Sequence, residues 1–157
     1  MKFIKKLLRR FGIRPSDTFS SANYWDSRYN AGGNSGAGSY GQLASYKADV
    51  INQLVGELAI NSMIEFGSGD GNQASMLDVP DYVGIDVSKN AVEIASARLQ
   101  DDKHKKFHIS DAFDVPKRGY DMAISLDVIY HLIEDEVFPK YMSDMCAASK
   151  KYVLIYA

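Results

Sequence analysis

Apolar positions along the chain fall into short continuous runs separated by stretches with helical spacing. From Gln42, the residues Leu43, Tyr46, Val50, Leu54 and Leu58 recur every three or four positions, which predicts a helix ending near Ala59, with Lys47, Asp49 and Glu57 off the stripe. Ser62–Phe66 predicts a buried strand, followed by a glycine turn and a short helix over 72–77. Residues 82–86 predict a second strand. Ser88 is placed to cap a helix over 89–99, with Val92, Ala95 and Leu99 on its apolar side. A third strand is expected over 106–110 and a fourth, almost wholly apolar, over Tyr120–Leu126. A helix over 134–148 carries Val137, Phe138, Tyr141, Met142 and Met145 on one side, and 152–156 predicts a fifth strand. Strands alternating with helices imply a mostly parallel sheet with right-handed crossovers, an α/β fold of the doubly wound kind.

The first 41 residues read differently, so the chain divides into a leader and lid segment, 1–41, and a nucleoside-binding domain, 42–157. Residues 1–14 alternate apolar and basic positions at near-helical spacing. That pattern suits a leader helix against the domain, or a weak contact with an anionic membrane surface or a partner. Beyond Pro15, the segment from Tyr24-Trp25 to Tyr40-Gly41 reads as an ordered loop, because its centre, Gly32-Gly33-Asn34-Ser35-Gly36-Ala37-Gly38-Ser39, is too glycine-rich for a helix or strand interior.

Charge sharpens this division. Six of the 18 Lys and Arg precede Asp17, the first acid, which leaves 12 cations against 20 acids and a balance of −8 for the remainder. An acidic body argues against nucleic-acid binding, since phosphate backbones are held by clustered Lys and Arg. No apolar run approaches the ~20 residues of a membrane-spanning helix. With 157 residues, 46% of them hydrophobic, and the single cysteine Cys146 unable to form an internal disulfide, a soluble one-domain cytoplasmic protein is expected.

In a doubly wound sheet the ligand lies outside the carboxyl ends of the strands, so the first strand-to-helix turn carries the candidate site. It reads Glu65-Phe66-Gly67-Ser68-Gly69-Asp70-Gly71. Asp86 ends the next strand 21 residues after Glu65, close to the ~20-residue interval of a carboxylate that grips ribose hydroxyls. A dinucleotide loop wants G-x-G-x-x-G, whereas here the third glycine comes one residue early and Asn72 holds its place; Asp70 also sets a negative charge where a pyrophosphate would lie. Both features favour a nucleoside without phosphates. S-adenosylmethionine (SAM) is one, and Glu65 and Asp70 suit its positive ammonium or sulfonium.

Ile64 through Gly71 resembles the first motif of class I, Rossmann-like SAM-dependent methyltransferases, and Gly84-Ile85-Asp86-Val87-Ser88 resembles their second. Ser110-Asp111-Ala112-Phe113 is similar to the segment after the family's third strand, and Asp121 through Leu132 to its fourth-strand motif. Tyr24-Trp25, Arg28-Tyr29 and the Gly32–Ser39 loop resemble the lead-in of small bacterial and phage members. The resemblance implies that Glu65, Gly67, Ser68, Gly69 and Gly71 lie against the methionine and ribose portions of SAM, that Asp86 and Val87 hold the ribose, that Asp111 and Ala112 meet the adenine, and that Leu126 closes the site. Methyl transfer to an oxygen or nitrogen of a small-molecule or sugar-like acceptor follows as the expected activity. Asp127 either serves the acceptor or caps a turn; His131 either removes a proton from the acceptor or packs structurally. Tyr24, Trp25 and Tyr29 form either an aromatic staple or a lid, with Arg28 or Ser39 reaching the SAM carboxylate. The family has seven strands and only five are expected here, as if the chain were truncated after the fifth. That strand is then an exposed apolar edge open to self-association, and SAM binding without turnover is an alternative reading, with a nicotinamide-dependent oxidoreductase a more distant one.

Overall fold

The computed structural model describes residues 20–157, so the basic segment 1–14 lies outside the described residues. The elements are α1 (Ser21–Asn30), α2 (Gly41–Glu57), β1 (Ser62–Phe66), β2 (Asp81–Asp86), α3 (Lys89–Arg98), β3 (Lys105–Ile109), β4 (Tyr120–Leu126), α4 (Val137–Ala148) and β5 (Ser149–Tyr156). All strands run parallel in the order β3-β2-β1-β4-β5. The order reverses at β1, whose neighbours are β2 on one side and β4 on the other, which opens a crevice at the carboxyl ends of these two pairs.

Both faces of the sheet are covered, which is why its central strands are nearly continuous apolar runs. Met63, Tyr82, Met122, Ile124 and Leu126 pack with Ala48, Ile51 and Val55 of α2 on one face. On the other, Ile64, Phe66, Val83 and Ile85 pack with Met145 and Ala148 of α4. The period-2 alternation of a strand therefore puts Glu65 and Asp86 on the α2 side.

Four expectations are corrected. The segment 24–41 is not loop throughout, because α1 occupies its first part: Ser20 Oγ accepts from Asn23 N and starts the helix, and the glycine-rich stretch begins only after it. No α-helix forms over 72–77; a single 3₁₀ turn, Ala74–Met76, sits there. Gly71, at φ +74, closes the turn, and a Cβ on it would lie 2.9 Å from Ala95 Cβ, so the backbone passes directly against α3.

The third correction concerns the inward face of α2, which lies one position along from the apolar stripe. Ala44, Lys47, Ala48, Ile51 and Val55 are buried, whereas Leu43 and Tyr46 are 52% and 61% exposed. Small alanines let the helix approach the sheet closely, and the larger residues are left outside. Finally, α4 begins at Val137, with Val137 and Phe138 exposed and Tyr141, Met142, Met145 and Ala148 turned inward. As expected, β5 is an edge strand, with Tyr152, Val153, Ile155 and Tyr156 all substantially exposed. Among the described residues no helix is long and apolar enough to cross a membrane.

Candidate active site

The glycine turn leaves β1 directly at the crevice. Gly67 N and Ser68 N both donate to Ile85 O, at 2.8 and 3.1 Å, and tie the turn to β2. Asp86, 8% exposed, accepts from Gly69 N and from Ser88 N, both at 2.9 Å, one on each carboxylate oxygen. Burial raises its pKa, with those amides opposing the shift. Beside it Glu65 is 2% exposed and accepts a short hydrogen bond from Tyr82 Oη. Burial pushes the Glu65 carboxyl up to about 7, against the Tyr82 hydrogen bond and the attraction of Lys47.

A cavity of about 480 Å³ opens above these groups. Of the candidate residues, Glu65, Gly67, Ser68, Gly69, Asp86, Val87, Asp111, Leu126, Asp127 and His131 line it, and so do Trp25, Tyr29 and Ser39. Gly71, Ala112, Tyr24 and Arg28 do not. Gly71 packs on α3; Ala112 lies exposed in the 3₁₀ turn Ser110–Ala112; Tyr24 stands edge-on to Trp25 and is 46% exposed. Arg28 donates from Nε to Asn34 O at 2.8 Å and lies over the Trp25 ring, so it braces the glycine-rich loop instead of reaching the cavity.

Asp70, expected to face a ligand, fastens that loop from below, and Asp127, expected to serve the acceptor or cap a turn, lies under it. Asp70 accepts from Ser35 N (3.2 Å), Tyr40 Oη (2.7 Å) and Asn72 N (3.1 Å), and Arg98 lies 3.8 Å away. Burial alone would raise its pKa, but these hydrogen bonds outweigh it and hold the carboxyl low. Asp127, in a left-handed conformation at φ +59, is ion-paired with Lys47 and lies beneath Gly38, where a Cβ would meet its Oδ2 at 2.5 Å. Asp70 is thus held by residues of the glycine-rich segment, and Asp127 by Lys47 of α2.

Sequence reasoning missed Lys47, a buried cation on the inward face of α2. The signal was there in its spacing from Ala44, Ala48, Ile51 and Val55. It also missed Glu134, whose Oε1 accepts from Ser21 N (2.7 Å) and Ser21 Oγ (2.9 Å) and so anchors the start of α1. His131 sits edge-on to Trp25 at 5.0 Å between centroids, and burial lowers its pKa, which favours the neutral ring. A separate depression of about 540 Å³ around Arg98–His104 is open surface without this chemistry.

Four buried side-chain atoms have no hydrogen-bond partner among the described residues: Ser68 Oγ, Gln73 Oε1, Ser110 Oγ and Glu134 Oε2. All four residues line the same cavity. Burying a polar atom unpaired costs about 1–3 kcal/mol, so their convergence marks a cavity suited to water or a polar ligand.

The model of the methyltransferase domain family matches residues 39–156. The chain belongs to that family. Its parallel sheet and crevice give this methyltransferase domain a Rossmann-like fold. A bacterial Hen1 methyltransferase domain is 24% identical over 69% of this chain and 63% of its own length, with a TM-score of 0.56. Phosphoethanolamine N-methyltransferase 2 of Haemonchus contortus, solved with phosphomonomethylethanolamine and S-adenosylhomocysteine, is 26% identical over 70% of this chain and 27% of its own, at 0.57. Magnesium protoporphyrin IX methyltransferase of Synechocystis, with bound SAM, is 16% identical over 88% and 77%, at 0.62. This methyltransferase domain thus spans less than two thirds of the first two of these chains. No curated protein matches its sequence.

Proposed function

We propose that the cavity above Gly67–Gly69 binds SAM and that the domain transfers its methyl group to a nucleophilic oxygen or nitrogen of a small-molecule acceptor. The carrying observation is the convergence of four unpartnered buried polar atoms on one cavity at the switch point of the sheet, beside a buried Asp86. The residues present fit the cofactor. Asp86 keeps a lone pair on each oxygen beyond the amide it accepts, suited to ribose hydroxyls, while Val87 and Asp111 line the part of the cavity that would take the base. Glu65 suits the cationic end once ionised.

When bound, SAM supplies a methyl group on a positively charged sulfur. The chain's own task is then to hold the acceptor in line and keep water out, which for such displacements supplies most of the rate. Trp25, Tyr29 and the loop fastened by Asp70 form the cover. His131, neutral in its partly buried setting, is the group in the cavity wall able to take up a proton. In this reading Asp127 lies beneath Gly38 of the lid and is paired with Lys47 of α2.

Calorimetry with SAM, S-adenosylhomocysteine and NAD tests the cofactor assignment. Binding of the first two is expected, and binding of NAD with none for SAM would overturn it. Incubation with methyl-labelled SAM and cell extract then separates a catalyst from a module that binds without turnover.

A further inference from the structure

The cavity wall built by α1, by the turn after β4 and by α4 is unlike the glycine end. Trp25, His131, Glu134, Glu136, Tyr141 and Asp144 contribute to it. Lys140 is the one Lys or Arg lining the cavity among the described residues, and it is ion-paired with Asp144. Glu134 and Glu136 have no ion-pair partner among the described residues. The Glu134 carboxylate is not a loose surface group. Its Oε1 is fixed by two hydrogen bonds from Ser21 at the N-terminus of α1, where the helix dipole favours the charged form, and its Oε2 is buried and unpartnered. The Ser21 hydrogen bonds offset the effect of burial and keep this carboxyl low, hence ionised at neutral pH.

Further in, Glu65, Asp86 and Asp111 add three more acids to the lining. An anionic acceptor entering this cavity meets an excess of carboxylates, with Lys140 already paired to Asp144 and Arg28 seated over the Trp25 ring outside the lining. A cationic one meets a fixed carboxylate oxygen and the ring of Trp25, both of which attract an ammonium. The aromatic wall also offers apolar area for a hydrocarbon body.

Resting on the SAM-dependent reading above, we infer that the acceptor is a small amine with an apolar or aromatic body, recognised as its ammonium by Glu134 and Glu136 and methylated on that nitrogen. The ammonium gives one proton to neutral His131, which passes it to solvent. The nitrogen lone pair then forms the N–C bond as the S–C bond breaks, and its electron pair stays on sulfur. The products are the methylammonium, S-adenosylhomocysteine and the released proton.

Trp25 is the chain's one tryptophan, so its fluorescence reports directly on this wall. The full chain is first titrated with S-adenosylhomocysteine; failure to bind defeats the cofactor reading itself. The loaded protein is then titrated with phenethylamine, 2-phenylethanol and 3-phenylpropionate, which share a body and differ in charge. The amine is expected to bind at least about tenfold more tightly than the alcohol, and the carboxylate most weakly. Glu134→Gln, which can still accept from Ser21, and Glu136→Gln, at an exposed position, should each lower amine affinity about three- to tenfold while leaving the alcohol and S-adenosylhomocysteine unchanged. S-adenosylhomocysteine binding accompanied by equal responses to the three probes, by no response to the amine, or by full amine affinity in both variants overturns the amine assignment alone.

Discussion

Replacing Lys47 with methionine isolates the ion pair that ties α2 to the turn after β4. The side chain is 2% exposed and its partner Asp127 17%, so the pair is largely out of water. Breaking a buried pair by removing one member typically costs about 3–5 kcal/mol, because the other charge is left uncompensated. Asp127 retains some exposure, which places the expected loss nearer 2–3 kcal/mol. Methionine keeps the apolar stem that packs in α2, so the loss reports on charge and not on a cavity. For a chain of this size a kcal/mol is worth roughly 2–4 °C, and the melting temperature followed by circular dichroism should fall by about 5–10 °C. The double variant Lys47→Met/Asp127→Asn makes the site neutral, and asparagine tolerates the left-handed backbone at this position. It should recover at least about 1 kcal/mol relative to the sum of the single changes. A Lys47→Met protein within about 0.5 kcal/mol of wild type in urea denaturation, or strict additivity in the cycle, would refute the reading of this pair as a stabilising tie between α2 and the end of β4.

Three further outcomes are expected. Asp86→Ala should weaken S-adenosylhomocysteine binding by about 1–3 kcal/mol in calorimetry, and an unchanged dissociation constant in a folded variant would remove the ribose role. Gly71→Ala, with φ at +74 and Ala95 Cβ 2.9 Å from the new methyl, should lower stability by about 1–3 kcal/mol in a thermal melt, while an unaltered melting temperature would show that α3 can move aside. Glu65 has a folded-state pKa raised to about 7, so its contribution to stability is present below the ordinary carboxylate range and is lost as pH rises through about 7. Over that same rise the carboxylate forms and SAM affinity should increase. Glu65→Gln should flatten both profiles, and a SAM affinity that falls with pH would exclude Glu65 from the cationic end.

Much of the frame is written in local pattern. The apolar runs at β1, β2 and β4 are nearly continuous because these strands are buried on both faces, and any arrangement that buries them needs helices above and below. That Gly67, Gly69 and Asp86 come together at one cavity was legible because the pattern is local, a tight turn and a strand-end carboxylate at the switch point of the sheet. The serine cap before α3 is likewise a matter of four consecutive residues. What failed were inferences that depend on what lies opposite. The stripe Leu43, Tyr46, Val50 has the spacing of a buried face, yet the sheet admits the side with Ala44, Lys47 and Ala48, since a close helix needs small residues there and Asp127 needs a cation. Asp70 and Asp127 looked like ligand-facing acids because sequence reveals their charge and not their partners, Ser35, Tyr40 and Lys47, which come from 30 to 80 residues away. The sequence by itself determined the sheet, its crossovers and the glycine turn, because local spacing and backbone sterics suffice for them. Only the tertiary structure decided which acids remain free to meet a ligand, because charge pairing and burial belong to segments brought together by the fold.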